Sequence, residues 1–120
     1  MYKIEFYSTA EGHSELWDML TDLQKRSSTD KNARVTHKQI AFYIQLLADH
    51  GTRLGEKITK HLEDDIWKLR PGDNRVLFFY HKADTYVLLH ASRKKSRKTP
   101  RREIEKAKNE RDDWLRRKGR

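Results

Sequence analysis

The hydrophobic and polar positions of the chain follow two different periods in its first half. Alternation over residues 2–7 (YKIEFY) predicts a strand. A helix is expected to begin at Gly12–Ser14 and to stop near Ser27–Ser28, because one helical face collects Leu16, Met19, Leu20 and Leu23. A second helix is expected from an N-cap at Asp30 to Gly51, with an apolar stripe of Ala33, His37, Ile40, Tyr43, Ile44 and Leu47. Two amphipathic helices with a short polar link predict a helical hairpin.

The period changes to that of strands in the second half, after a connector at residues 52–63. Three strand-like runs, 66–70, 75–80 and 86–90, are separated by short turns that fit two successive hairpins. Thr99, as an N-cap, and Pro100, as the first helical residue, predict a final helix. Its apolar stripe is Ile104, Ala107, Arg111, Trp114 and Leu115.

The element order β-α-α-β-β-β-α predicts an α+β fold. We expect a small antiparallel sheet with the helical hairpin on one face and a C-terminal helix. The length of 120 residues fits one domain, residues 1–120.

Composition narrows the class of protein. The chain has no cysteine, which favours a reducing cytoplasm and excludes thiolate metal sites. No apolar run is long enough to span a membrane, and the N-terminus lacks the apolar core of a signal peptide. The six histidines show no ligand spacing. We therefore expect a soluble cytoplasmic protein with no metal, no cofactor and no membrane partner.

Charge is concentrated at the C-terminal end. Residues 1–92 contain 13 Lys or Arg and 13 Asp or Glu, whereas residues 93–120 contain 14 and 5. A neutral body with one basic end predicts an anionic partner bound at one place. Arg101 and Arg102 would also face the positive end of a helix dipole, an arrangement that a bound phosphate would relieve.

Strand alternation suggests where a site lies. Lys68 and Arg70 share one face of their strand, and Arg75 begins the next strand across a short turn, so the three cations could converge at one end of the sheet. His90 ends the third run, just before the basic block RKKSRKTPRR of residues 93–102. The alternative is that these cations only form a solvated strand face. We expect Arg75, His90, Lys94, Lys95 and Lys98 to be largely exposed.

Three segments together resemble the phage-associated, HigB-like branch of the RelE/ParE toxin superfamily: LGEKITKHLEDDIWKLR, NRVLFFY and LLH…KKSRKTPRREIEKA. The resemblance covers about residues 2–115 and implies a RelE-like fold. Ser92 departs from the pattern, because the family usually has an aromatic residue there.

The resemblance implies a toxin of a type II toxin–antitoxin system that acts as a ribosome-dependent, metal-independent mRNA endonuclease. Its implied partners are the ribosome with its mRNA and a cognate antitoxin, HigA-like and carrying a helix-turn-helix, through which alone it would reach operator DNA. We expect Arg70 and Arg75 to stabilise the phosphate and His90 or Lys94 to transfer protons. The residues expected to bind RNA are Lys68, Lys95, Arg97 and Lys98.

Two other functions fit the same residues. A ParE-like member would inhibit DNA gyrase through protein binding, without nuclease activity. A non-catalytic nucleic-acid-binding prophage protein would need only the charge asymmetry.

Overall fold

The computed structural model describes residues 1–118, and within them the chain forms five strands and three helices. The strands are β1 (Lys3–Phe6), β2 (Thr59–Glu63), β3 (Ile66–Leu69), β4 (Asn74–His81) and β5 (Thr85–Arg93). The helices are α1 (Glu15–Arg26), α2 (Lys31–His50) and α3 (Arg101–Arg117).

The strands form one mixed sheet in the order β1-β5-β4-β3-β2. β2 to β5 are an antiparallel meander, and β1 lies on the edge, parallel to β5, with Lys3 opposite Thr85 and Phe6 opposite Leu88. The predicted α+β class is confirmed. The expected connector at residues 52–63 is wrong in part, because it contains β2. The expected antiparallel pairing is wrong at one edge of the sheet, because β1 is parallel to β5.

The helices cover opposite faces of the sheet. α1 and α2 pack against one face, where the core includes Leu16, Ile40, Leu47, Phe78 and Leu88. α3 packs against the other, where the core includes Ile66, Leu77, Phe79, Ala107 and Trp114. The predicted helical hairpin on one face is confirmed, and the face that carries Lys68 lies under α3.

Side-chain caps fix the starts of the first two helices. The Ser14 hydroxyl accepts a hydrogen bond from the backbone N–H of Trp17, and the Asp30 carboxylate accepts one from Ala33. The predicted cap of α3 is wrong by one residue, because Pro100 is the N-cap and Thr99 makes no cap bond. No helix among residues 1–118 has the length and hydropathy needed to cross a bilayer.

Candidate functional site

A pocket of about 300 Å³ opens at the end of the sheet where β3 ends and β4 begins. We call it the cationic pocket. Five of its lining residues are cations, Lys57, Lys68, Arg70, Arg75 and Lys94, and the others are Gln39, Tyr43, Gly72 and Asn74. The predicted convergence of Lys68, Arg70 and Arg75 is confirmed, and Lys94 joins them.

The β3–β4 hairpin positions the cations of the pocket. Lys68 lies opposite Leu77, two residues from Arg75, so both cations project from the face that α3 covers. Gly72 has a φ of +60° in the turn, a conformation that suits glycine. Arg70 follows β3, and its guanidinium Nη1 donates a hydrogen bond of 2.7 Å to the carbonyl of Glu56.

Two of the predicted site cations are buried. Lys68 is 3% exposed and Arg75 is 2% exposed. The expectation that Arg75 would be exposed is wrong, and so is the alternative of a solvated strand face for Lys68, because neither took account of the chain segment that follows β5. This segment, residues 94–100, is called the basic loop below, and it lies over both side chains.

The buried cations hold the basic loop by hydrogen bonds. The ammonium of Lys68 donates to the Thr99 hydroxyl over 3.0 Å. The guanidinium Nη2 of Arg75 donates to the carbonyls of Ser96 and Lys98, over 2.5 Å and 3.3 Å. Arg75 and Lys68 therefore connect the sheet to the loop as well as lining the pocket.

Among the described residues, the cations of the pocket have no opposite charge in contact with them. Within residues 1–118, none of its five cations has a carboxylate oxygen within 4.0 Å. Burial, followed by the charges of Arg75 and Arg70, lowers the pKa of Lys68 to about 8. Burial also lowers the pKa of Arg75, against the opposing charge of Glu103. An anion bound in the pocket would favour the charged forms of Lys68 and Arg75 and so raise both pKa values.

Arg75, which lines the pocket, also keeps one donor unpaired within residues 1–118. The Nε–H of Arg75 is buried and has no hydrogen-bond partner among the described residues. An unpaired buried donor costs about 1–3 kcal/mol unless a ligand or water satisfies it. The convergence of several cations around one pocket suits a phosphate group.

His90 lies away from the cationic pocket. It is 1% exposed, under α3, and its ring nitrogens bond the Glu110 carboxylate over 2.5 Å and the Glu103 carboxylate over 2.8 Å. Burial lowers the pKa of His90, but the hydrogen bonds and charges of Glu110 and Glu103 outweigh it and raise the pKa overall. The expected exposure of His90 is wrong, and its predicted proton transfer has no support from this geometry. In residues 1–118 no group of His, Asp and Glu side chains has a geometry that could hold a metal ion.

The remaining predicted RNA-binding residues lie on the basic loop. Lys95, Arg97 and Lys98 are exposed and do not line the pocket. Arg101, at the start of α3, pairs with the carboxylates of Glu63 and Glu105. Phosphate binding at this turn stays a prediction, and Glu63 at the end of β2 already supplies negative charge to Arg101.

Sequence reasoning missed Lys57 as a member of the pocket. It lies just before β2, a strand with the polar sequence TKHLE, so no alternation of apolar residues indicated that this segment joins the sheet.

Comparison with known families places the whole pocket inside one matched region. The family model described as "Phage derived protein Gp49-like (DUF891)" matches residues 21–112, from α1 to α3. No curated protein matches the chain. Because the match covers most of the chain, the protein belongs to the Gp49-like family of phage-derived proteins.

Proposed function

We propose that this protein is the toxin of a toxin–antitoxin pair and that it cleaves mRNA on the ribosome. Membership of the Gp49-like family, which is toxin-like, supports the first part. The second part rests on one observation, the convergence of Lys57, Lys68, Arg70, Arg75 and Lys94 around a pocket in which the described residues place no carboxylate.

The chemistry of RNA cleavage fits such a pocket. The 2′-oxygen of a ribose forms a bond to the adjacent phosphorus, and the bond from phosphorus to the 5′-oxygen breaks. The products are a 2′,3′-cyclic phosphate and a 5′-hydroxyl, with no other reactant consumed. The step needs a base for the 2′-hydroxyl proton, an acid for the 5′-oxygen and positive charge near the phosphorane.

The pocket residues supply these three roles. Lys68, with a pKa near 8, is neutral in part of the population near neutral pH and accepts the 2′-hydroxyl proton. Lys94, which is exposed at the mouth, donates a proton to the leaving 5′-oxygen. The positive charges of Arg70 and Arg75 stabilise the charge on the phosphorane.

The exposed cations of the basic loop bind the RNA backbone on either side of the cut. Lys95, Arg97 and Lys98 neutralise phosphates without reading sequence. The ribosome presents the mRNA. A cognate antitoxin with a helix-turn-helix neutralises the toxin and carries it to operator DNA, and the complex acts in the cytoplasm.

Induction of the chain alone in a bacterium tests the proposal. We expect growth arrest, relieved by co-expression of the antitoxin gene, and primer extension should show cuts within translated messages only. An untranslated copy of the same message is the control and should stay intact. Intact messages with accumulated DNA breaks would instead indicate gyrase inhibition, and unimpaired growth would contradict a toxin of either kind.

A further inference from the structure

One aromatic residue of α2 lines the cationic pocket, and a second one precedes it in the helix. Tyr43 lines the pocket, and the ring of Phe42 packs edge-on against it, with centroids 6.2 Å apart and an interplanar angle of 77°. Phe42 is 60% exposed. An aromatic ring at the wall of a positively charged pocket is a typical arrangement for binding single-stranded nucleic acid.

The sheet does not explain the position of Phe42. α2 buries Ala33, Ile40 and Leu47 against the core. Phe42 is two residues beyond Ile40, about 200° around the helix, and so lies on the opposite side from the core. Among the described residues, the aromatic ring that Phe42 contacts is that of Tyr43.

The size of a nucleotide connects the cationic pocket with the aromatic ring at its wall. A base is joined to its phosphate through a single ribose, so a phosphate held by Arg70 and Arg75 places a base within reach of the pocket wall. The partly exposed ring of Tyr43 on that wall offers a stacking surface that accepts any base.

A groove beside the pocket offers a path for the strand. It has a volume of about 700 Å³ and shares Gln39 and Asn74 with the pocket. Apolar side chains, including Met19, Leu23 and Val35, contribute to its lining. A single strand with one phosphate in the pocket can therefore continue along α2.

We propose that Tyr43, supported edge-on by Phe42, is a stacking platform for one base of single-stranded RNA. The proposal rests on the proposed function, in that an RNA phosphate occupies the cationic pocket. It adds a contact to the base, which the cations alone do not make.

Two labelled oligonucleotides with the same phosphates test this proposal. One is a 2′-O-methyl RNA, which lacks the attacking hydroxyl, and the other is the same backbone with abasic residues. Fluorescence anisotropy with the full chain at low salt should show tighter binding of the first. Tyr43→Leu should weaken binding of the first by roughly ten- to hundredfold and leave the second unchanged. Tyr43→Trp should preserve binding of both.

Two control variants separate stacking from charge. Lys94→Ala should weaken both oligonucleotides and flatten the salt dependence by about 0.7 log units per log unit of salt. Tyr43→Leu should leave that slope unchanged. Tyr80→Leu, which changes an exposed tyrosine at the far end of β4, should bind like the wild type. Thermal melts confirm that each variant is folded.

The outcomes distinguish this proposal from the proposed function. Equal binding of the two oligonucleotides, or full affinity in Tyr43→Leu, would overturn the stacking platform even if the protein cuts messages. Base-dependent binding that is lost in Tyr43→Leu, in a protein that cuts no message, would support the platform and contradict cleavage. A wild-type protein that binds neither oligonucleotide would overturn the platform.

Discussion

The ammonium of Lys68 donates a hydrogen bond of 3.0 Å to the hydroxyl of Thr99, and both residues are buried. This bond joins β3 to the last residue of the basic loop before Pro100. The same ammonium lies among Arg75, Arg70, Lys60 and Lys94, all of like charge. An apolar side chain would avoid both desolvation and repulsion there, so we interpret Lys68 as a cation kept for function at a cost in stability.

Replacing Lys68 should therefore stabilise the fold. Because the pKa of Lys68 is about 8 in the folded protein and 10.5 ordinarily, folding disfavours its charged form at pH 7. Lys68→Met should raise the free energy of unfolding by on the order of 1 kcal/mol at pH 7. The wild type should gain stability from pH 8 towards 10.5, since the unfolded chain binds more protons in that window, and the variant should lack this gain.

Urea melts across that pH window measure the effect. Lys60→Met is the matched control, because Lys60 lies opposite Lys68 on β2 but is exposed, and it should change stability little. A Lys68→Met variant that is less stable than the wild type at every pH would show that the ammonium stabilises the fold.

The same residue should control the pH dependence of cleavage. If neutral Lys68 accepts the 2′-hydroxyl proton, the single-turnover rate should rise with pH and level off above about 8. Lys68→Met should lose about a hundredfold or more in rate and lose this inflection. A variant that keeps the inflection would assign the base to another group.

His90 should contribute to stability through its charge. Its pKa is raised above 6.5, so its ion pairs with Glu103 and Glu110 contribute fully below that pH. The contribution is lost as pH rises through the raised pKa. The positive charge of Lys106, which also faces His90, lowers that pKa and so acts against the two carboxylates. His90→Gln should cost about 3 kcal/mol near pH 6, because two largely buried carboxylates lose their partner.

Thermal melts from pH 6 to 9 test the role of His90. The difference between the wild type and His90→Gln should shrink as pH rises, whereas His13→Gln, in an exposed loop, should match the wild type throughout. A constant difference would show that the ion pairs do not depend on His90 being charged.

Arg75 should hold the basic loop in place. Arg75→Met removes the donors to Ser96 and Lys98, so the loop should open more often and the fold should lose about 2 kcal/mol. The loop contains Lys94, Lys95, Arg97 and Lys98, and trypsin should therefore cut it faster in the variant. Arg53→Met, at an exposed position, is the control. Equal trypsin cleavage of variant and wild type would contradict this role.

The sequence predicted the convergence of three cations better than it predicted their burial. Strand alternation and a short turn were enough to bring Lys68, Arg70 and Arg75 together, because both are local properties of one hairpin. Their burial depends on where α3 and the basic loop pack after β5, and residues 66–75 carry no information about that. For the same reason the pairing of His90 with Glu103 and Glu110 was not predicted.

The two edge strands show the same limit in the fold. β2 is polar and pairs on one side only, with β3, so it lacks the apolar alternation that reveals a strand. β1 was predicted as a strand, but its parallel pairing with β5 is a contact between residues about 80 positions apart, and no periodicity encodes such a partner. Local pattern therefore predicts elements, and long-range packing decides which side chains are buried.

The most direct test of the cationic pocket as the cleaving site is Arg70→Gln. Arg70 lines the pocket and is not buried, so its loss should spare the fold and affect the phosphorane. On ribosomes programmed with a defined mRNA, we expect the single-turnover cleavage rate to fall by on the order of a hundredfold. The thermal midpoint should stay unchanged, and Arg53→Gln should cut at the wild-type rate. Wild-type cleavage by folded Arg70→Gln would contradict the account.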